Sequence, residues 1–362
     1  MNIRVGILTA PHIESEPADG GFLLHNVRIG IGFHWDRRET QRFAGRLDIL
    51  KNSNGTETAV NEIDIEDYLC SVISSEMNSN SPMELLKAHA VISRSWAIRA
   101  KEANRASLTD IRNKAYETGG HIGFDVCADD HCQRYEGTGR MNHRAVEAVR
   151  ATAGEVLMYG NEVCDARFHK CCGGRTEVFA TCWEDVDVPY LQSESCPWCD
   201  TKDNNILSSI LNDYDLETHD FHDWQADYTP AQLGRIIKSK TGRDLGGILR
   251  LTPLKRGASG RIYLLRIEGT KGSMEIGKEL KIRRALSESC LYSSLFEVEY
   301  AQNLIGLKGK GWGHGVGLCQ IGAAVMAAKG ADYKHILRYY YRGTEIGSLP
   351  KFRGKALTPP VP

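Results

Sequence analysis

Apolar residues recur at helical spacing in two neighbouring stretches of the first third of the chain. The first helix is predicted to begin after Asp64 and to end near Met77. The second has Ser81 as its predicted N-cap, a proline at its first position and Glu84 placed to complete a capping box, so it should span residues 82–104. Further helices are predicted over residues 142–151 and 230–241.

Short apolar or alternating stretches bounded by glycines and polar residues predict strands. They lie at residues 4–8, 22–33, 47–50, 156–159, 166–169 and 263–268. Because helices and strands follow one another without regular alternation, the order favours an α+β fold over a parallel βαβ design. We expect mixed helices and antiparallel strands around a cleft, with a small insertion subdomain.

The composition bears on which partners are plausible. The chain of 362 residues is long enough to bury a large core, and its charges nearly balance to a formal net charge of −1. No overall field draws such a chain to nucleic acid or to an anionic membrane, so we expect no nucleic-acid partner. No stretch approaches the about 20 apolar residues of a membrane span. The 11 cysteines are an odd number, so some thiols must be free or bound to metal.

Glycine occupies nearly every other position at the start of residues 311–323, around Trp312 and His314. Closely spaced glycines let the backbone approach a ligand at dihedral angles that other residues avoid. We therefore interpret the segment as a functional loop, in which His314 is an acid or base candidate or, alternatively, a hydrogen-bonded loop histidine without such a role. The spacing fits neither G-x-G-x-x-G nor G-x-x-x-x-G-K-[ST], which argues against a nucleotide phosphate site.

Two histidines and two cysteines lie within twelve residues: His121, Cys127, His131 and Cys132. Their ligand types match a tetrahedral Cys2His2 zinc site, although the spacing is not that of a zinc finger. Such a site would be structural, because all four positions are filled by the protein. The alternative is a disulfide between Cys127 and Cys132 with two solvated histidines.

Glu76 is predicted to lie in the last turn of the first helix, on the same inward stripe as Tyr68 and Val72. Burial and the negative end of the helix dipole both disfavour a carboxylate there, which is how a general acid is kept protonated near neutral pH. Arg94 also points inward, and a buried guanidinium needs an anion. The alternative is that Glu76 and Arg94 form a structural ion pair.

Two parts of the sequence resemble the stage II sporulation protein D / LytB family. One comprises Tyr68–Met77 and Leu85–Ala97, and the other is the glycine-rich loop, continued through residues 333–346. From this resemblance we expect an N-terminal β-rich segment, a catalytic domain in two parts, an insertion between them and a C-terminal tail. These are residues 1–54, 55–200 with 255–350, 201–254 and 351–362.

The resemblance implies a lytic transglycosylase that cleaves peptidoglycan glycan strands between N-acetylmuramic acid and N-acetylglucosamine. Glu76 matches the family's catalytic glutamate, which protonates the leaving oxygen and then accepts the proton of the muramic C6 hydroxyl as a 1,6-anhydro ring closes. One acid serves both steps, whereas hydrolytic glycosidases generally need two carboxylates. The resemblance also implies that the Cys2His2 group binds structural zinc. We expect a substrate cleft that contains Arg94, His169, Tyr190, Trp312, His314 and Gln320.

The chain departs from the family pattern in two places. One residue fewer separates Cys127 from His131, and Gln192 stands where many members have a basic residue two positions beyond the tyrosine matching Tyr190. Other cysteines could supply disulfides or another metal site, although ordinary buried or paired cysteines are favoured. They are Cys164, Cys171, Cys172, Cys182, Cys196 and Cys199, of which the last two form a C-x-x-C that resembles half a zinc knuckle or a redox motif.

Two other function classes are open. The LytB branch of the family is associated with enhancing a separate cell-wall amidase, so the protein could bind peptidoglycan or an amidase without cutting glycan. A structural metal-binding adaptor is the third. The glycan substrate could be strands already stripped of stem peptides. The first eight residues are too short and broken for a signal-peptide core, so we expect a protein of the cell envelope, periplasm or cell surface if an export signal was removed, and a cytoplasmic one otherwise.

Overall fold

The structure is a computed structural model that describes residues 1–31, 36–109, 121–129, 131–211 and 222–349. Helices and mainly antiparallel sheets are mixed along the chain, so the predicted α+β class is confirmed. The helices are α1 Ile65–Glu76, α2 Met83–Thr109, α3 His143–Ala151, α4 Phe179–Cys182, α5 Asn204–Ile210, α6 Pro230–Thr241, α7 Glu279–Ala285, α8 Gln320–Ala328 and α9 Tyr333–Tyr340. None of the helices in these described ranges is long and apolar enough to cross a membrane.

The strands form several small sheets. They are β1 Asn2–Ala10, β2 Ser15–Ala18, β3 Gly21–Ile29, β4 Arg37–Ala44, β5 Arg46–Lys51, β6 Glu57–Asp64, β7 Val126–Cys127, β8 Glu155–Tyr159, β9 Glu162–Val163, β10 Phe168–His169, β11 Asp223–Tyr228, β12 Ile248–Arg256, β13 Ile262–Gly269, β14 Gly272–Gly277, β15 Phe296–Ala301, β16 Leu304–Lys310, β17 Leu318–Cys319 and β18 Glu345–Ser348. The largest has the order β5-β6-β1-β7, and a meander of β2, β3 and β4 adjoins it.

Three helices, α1, α2 and α3, pack on one another, and α1 and α2 also contact the sheet β5-β6-β1-β7. Asp64 caps α1, since its carboxylate accepts the Glu66 N–H, in agreement with the predicted start of the helix after this residue. The capping box predicted for α2 is absent from the described contacts. Ser81 donates its hydroxyl to the Ser209 carbonyl, and Glu84 accepts from the Tyr333 N–H. Tertiary partners therefore replace the local cap at this helix start.

A second hydrophobic core lies between the sheet β11-β16-β15 and the sheet β12-β13-β14, with α6 and α7 against it. The predicted boundary at residues 254/255 falls inside β12, which pairs along its length with β13. Residues 222–254 thus share a core with residues 262–307 and do not form a separate subdomain. The predicted tail, residues 351–362, lies outside the described residues.

Candidate functional site

Glu76 is the last residue of α1, and its side chain is half-buried. One carboxylate oxygen accepts the main-chain N–H of Arg134 at 3.1 Å. The helix is anchored beneath it by Tyr68, which is fully buried and donates its hydroxyl to the Gln133 side-chain oxygen at 3.0 Å. The inward stripe predicted for α1 is therefore present, and residues 133–134 hold its C-terminal end.

The four predicted zinc ligands come together beside this helix end. One possible ligand atom from each of His121, Cys127, His131 and Cys132 lies within 4.8 Å of the other three. The Nδ1 atom of His131 is 3.7 Å from the Cys127 sulfur and 3.5 Å from the Cys132 sulfur. Ligand atoms of a tetrahedral zinc site lie about 3.5–3.8 Å apart at the usual bond lengths. Both thiols are free, so this chain does not show the alternative disulfide.

The Cys2His2 group and Glu76 are joined through the chain itself. Cys132 is followed directly by Gln133 and Arg134, the two residues that contact α1. The next residue, Tyr135, is also buried and donates its hydroxyl to Asn61 at 2.6 Å. Fixing the Cys2His2 group would therefore fix the main-chain donor that contacts Glu76.

Arg94 does not pair with Glu76. Its guanidinium is fully buried and forms a bidentate ion pair with Glu66, at 2.8 and 2.6 Å. The other three N–H groups donate to main-chain carbonyls of Ala90, Val149 and Glu155. All five donors are thus used inside the protein. The alternative in which Arg94 forms an ion pair with Glu76 is therefore wrong, and no guanidinium donor remains for a glycan. The anion that the buried guanidinium requires is on α1, ten residues before Glu76.

The glycine-rich loop uses left-handed backbone at alternate positions. The φ angles are +76° at Gly311, +98° at Gly313, +83° at Gly315 and +74° at Gly317. Trp312, between the first two, exchanges two main-chain hydrogen bonds with Cys171, at 3.0 and 2.8 Å. The unusual dihedral angles anticipated for this motif are thus present, and the loop lies directly on the segment that contains His169.

Gly317→Ala should destabilise the fold by about 2–4 kcal/mol, because a methyl group there adds a clash to an unfavourable φ. A Cβ atom at Gly317 would lie 2.0 Å from the Arg167 carbonyl oxygen. Gly330 is the matched control, since its φ is +94° but a Cβ atom there meets nothing within 4 Å. Urea unfolding of both variants measures the difference. Equal losses in the two variants would mean that the loop yields to the added methyl group.

His169 and His314 face each other across the loop, with ring centroids 5.7 Å apart. His169 Nδ1 lies 3.1 Å from the Val316 carbonyl, so this nitrogen donates and Nε2 carries no proton. His314 Nδ1 accepts the Val316 N–H at 3.0 Å, so its proton is on Nε2. Burial, aided by the nearby Arg261, lowers the pKa of His169 to about 3, and burial also lowers the pKa of His314. Val316 thus fixes the neutral tautomer of both histidines. The Nε2 atom of His169 is left as a hydrogen-bond acceptor, and the Nε2–H group of His314 is left as a donor.

The other predicted cleft residues have identifiable partners. Tyr190 accepts the Asp165 N–H at 2.9 Å, and Trp312 packs edge-on against Tyr292 at 5.3 Å. The Gln320 amide lies 2.9 Å from Nε2 of His89, a buried histidine of α2 whose pKa burial lowers to about 3. Gln320 therefore links the start of α8 to α2.

The sequence patterns did not indicate that two buried charged residues stabilise the glycine-rich loop and the segments around it. Arg261 is fully buried and donates to the Gly313 and Cys172 carbonyls. Glu177 is fully buried and accepts from the main chain of Ala258 and Ser259 and from the Ser259 hydroxyl. Neither residue lies in a periodic pattern that would have predicted its partner, because the contacts join residues 52 to 89 positions apart.

The described contacts thus define an α+β protein with two candidate regions, one at the end of α1 and one at the glycine-rich loop. Residues 53–159 match the family described as Stage II sporulation protein, and residues 177–317 match a Domain of unknown function (DUF8618). The chain belongs to the family of stage II sporulation protein D and the amidase enhancer LytB.

Similarity to individual proteins extends over most of the chain. An uncharacterized protein of Brachyspira hyodysenteriae is 32% identical over 81% of this chain and 69% of its own length. Stage II sporulation protein D of Bacillus subtilis is 28% identical over 82% of this chain and 78% of its own. The amidase enhancer of the same organism is 26% identical over 76% of this chain and 40% of its own.

Proposed function

We propose that the protein is a lytic transglycosylase of the cell envelope, which cleaves peptidoglycan glycan strands and leaves 1,6-anhydro-muramyl ends. The observation that carries the proposal is the position of Glu76. A half-buried carboxyl group ends α1, it accepts one main-chain N–H from Arg134, and the segment that supplies this donor begins at the Cys2His2 group. Membership in a family whose relatives are named for sporulation and for amidase enhancement supports a cell-wall role.

In this mechanism Glu76 acts twice. As an acid it gives its proton to the glycosidic oxygen between muramic acid and glucosamine. The glycosidic bond then breaks as positive charge develops at the muramic C1. As a carboxylate it then takes the proton of the C6 hydroxyl, whose oxygen bonds to C1 and closes the anhydro ring. The proton given is replaced by the proton taken, so Glu76 ends in its starting state and no water is consumed.

The glycine-rich loop would bind the sugar. The unprotonated Nε2 of His169 is buried and has no hydrogen-bond partner among the described residues, and its ring centroid lies 5.7 Å from that of His314, whose Nε2 carries a proton. An unused acceptor and a donor on neighbouring rings suit the hydroxyl and amide groups of an acetylated sugar, and the loop would have to open to admit it. Trp183, whose ring lies 4.9 Å from His314 and carries the Arg167 guanidinium at 4.3 Å, closes one side of this pair.

Zinc would be held by His121, Cys127, His131 and Cys132, whose donor set and spacing fit a closed tetrahedral site. Its contribution would be structural, since it would fix the segment that leads to Arg134. Cys127→Ser should therefore remove one zinc ion and slow glycan cleavage by about 10- to 100-fold. Elemental analysis and a cleavage assay on the same preparation check this. His143→Gln, at an exposed histidine outside the group, should change neither quantity. Full activity after the loss of zinc would refute the structural role.

The decisive experiment incubates the purified chain with intact and with amidase-treated peptidoglycan and identifies soluble products by mass spectrometry. Anhydro-muramyl products are expected, with more from the amidase-treated strands if stem peptides hinder entry. Hydrolysed, non-anhydro ends would refute the transglycosylase and indicate a glycosidase that uses water.

The second candidate function is amidase enhancement, which the similarity to the amidase enhancer of Bacillus subtilis favours. It requires binding of peptidoglycan or of a cell-wall amidase, but no acid. If the chain yields no glycan products, and if the native protein and the variant Glu76→Gln accelerate a cell-wall amidase equally, this function replaces the first.

A further inference from the structure

Four cysteines gather at a second place, well separated in sequence from the Cys2His2 group. One sulfur atom from each of Cys172, Cys196, Cys199 and Cys319 lies within 4.8 Å of the other three. All four side chains are fully buried, and the sulfurs of Cys172 and Cys199 are 3.4 Å apart. Ordinary core cysteines pack singly among apolar neighbours, whereas four sulfurs around a common centre form the ligand arrangement of a tetrathiolate metal site.

Main-chain N–H groups point at these sulfurs, which is a second and independent observation. The Gly174 N–H donates to the Cys199 sulfur at 3.2 Å. The Cys319 sulfur accepts from Cys172 at 3.4 Å and from Gly322 at 3.4 Å, the latter as the N-cap of α8. N–H donors and a helix N-terminus favour a thiolate over a thiol, and thiolate is the form that binds metal. The surroundings thus resemble the outer shell of a metal site.

The backbone also leaves room at this point. Gly322, in the first turn of α8, has no side chain, and a Cβ atom there would lie 2.5 Å from the Cys196 sulfur. Four buried thiols without a metal would place four weak donors against one another.

We infer that Cys172, Cys196, Cys199 and Cys319 bind one zinc ion in a tetrathiolate site. The close spacing of the sulfurs suits a single ion, because an iron–sulfur cluster separates its cysteine ligands by the width of the cluster. Four soft thiolates in tetrahedral array select zinc among the common divalent ions that lack redox chemistry. Binding releases the thiol protons and leaves no open coordination position, so the site is structural.

The four ligands come from three segments. Cys172 follows the strand that contains His169, Cys196 and Cys199 form the C-x-x-C, and Cys319 ends the glycine-rich loop. Cys172 and Cys319 are 147 positions apart in sequence. A metal ion here would cross-link the glycine-rich loop to the segment it packs on, and it would do so independently of the Cys2His2 group near Glu76.

The test counts metal in the purified full-length chain by elemental analysis and native mass spectrometry. Two zinc ions per chain are expected in the native protein, one in Cys196→Ser, one in Cys127→Ser and none in the double variant. Cys164→Ser is the matched control, because Cys164 is a buried free thiol outside both groups and its loss should leave two zinc ions. The outcome does not depend on glycan cleavage, so this inference and the proposed function can fail separately.

X-ray absorption keeps the inference testable if Cys196→Ser does not fold. In Cys127→Ser the remaining zinc should show four sulfur neighbours at about 2.3 Å and no nitrogen. One zinc per native chain, with a mass lower by four hydrogens, would overturn the inference and indicate two disulfides. Iron in place of zinc, or a zinc content unchanged in a folded Cys196→Ser, would overturn it as well.

Discussion

Glu76→Gln should lower the rate of anhydro-muramyl product formation by about 10²–10⁴-fold, the usual contribution of a general acid and base. The amide cannot give or take the proton, but it keeps the shape and retains an oxygen that can accept the Arg134 N–H. We therefore expect unchanged zinc content, unchanged urea unfolding and unchanged binding of glycan. Product formation is measured by mass spectrometry on amidase-treated peptidoglycan under single-turnover conditions.

Asp67→Asn provides the matched control, because Asp67 is an exposed carboxylate on the same helix. It should retain the native rate, which separates the loss of the catalytic acid from a general change in helix charge. A Glu76→Gln protein that keeps more than about a tenth of the native rate would fall outside the range expected for a general acid and remove Glu76 from the chemistry.

Arg94→Met should cost about 3–5 kcal/mol of unfolding free energy, because it leaves the buried carboxylate of Glu66 without its partner. The side chains of the pair are 0% and 9% exposed. Replacing both charges, as in Arg94→Met with Glu66→Leu, should recover a large part of the loss, since no unpaired charge then remains. Urea unfolding of the two single variants and the double variant gives the coupling energy directly.

An exposed ion pair of similar geometry serves as the comparison. Arg266 contacts Glu275 at 2.7 Å, but both side chains are nearly half exposed. Arg266→Met should cost less than about 1 kcal/mol, because solvent screens such pairs. If Arg94→Met instead left unfolding unchanged and weakened glycan binding, the structural assignment of Arg94 would be wrong and its substrate role would be restored.

Local rules predicted most of the helices near the site. The helix predicted over residues 230–241 has these bounds in the structure, where Thr229 and Gln232 form a capping box and Gly242 ends it in left-handed backbone. The end of α1 at Glu76 followed in the same way from its apolar stripe. These features depend on residues within one or two turns, and sequence contains them directly.

Such local rules did not predict contacts between residues that are far apart in the sequence. Periodicity placed Arg94 on an inward face, but it could not distinguish Glu66 from Glu76, which lie on the same helix. The C-x-x-C of Cys196 and Cys199 suggested half a metal site. Cys319 was not connected with it, because it lies in the glycine-rich segment that was interpreted as a functional loop. The insertion boundary was misplaced because β12 pairs with a strand that follows it, and polar composition does not reveal that pairing.

The contacts of His169 and His314 with Val316 constrain when this part of the protein can form during translation. His169 and Val316 are 147 positions apart in sequence, and the order of closure is fixed by the direction in which the chain emerges. At about 5–20 residues per second, the ribosome releases the His169 segment many seconds before Val316 exists. A nascent chain in which the glycine-rich loop has not yet been synthesised therefore cannot form this pair of histidines with their shared contacts to Val316.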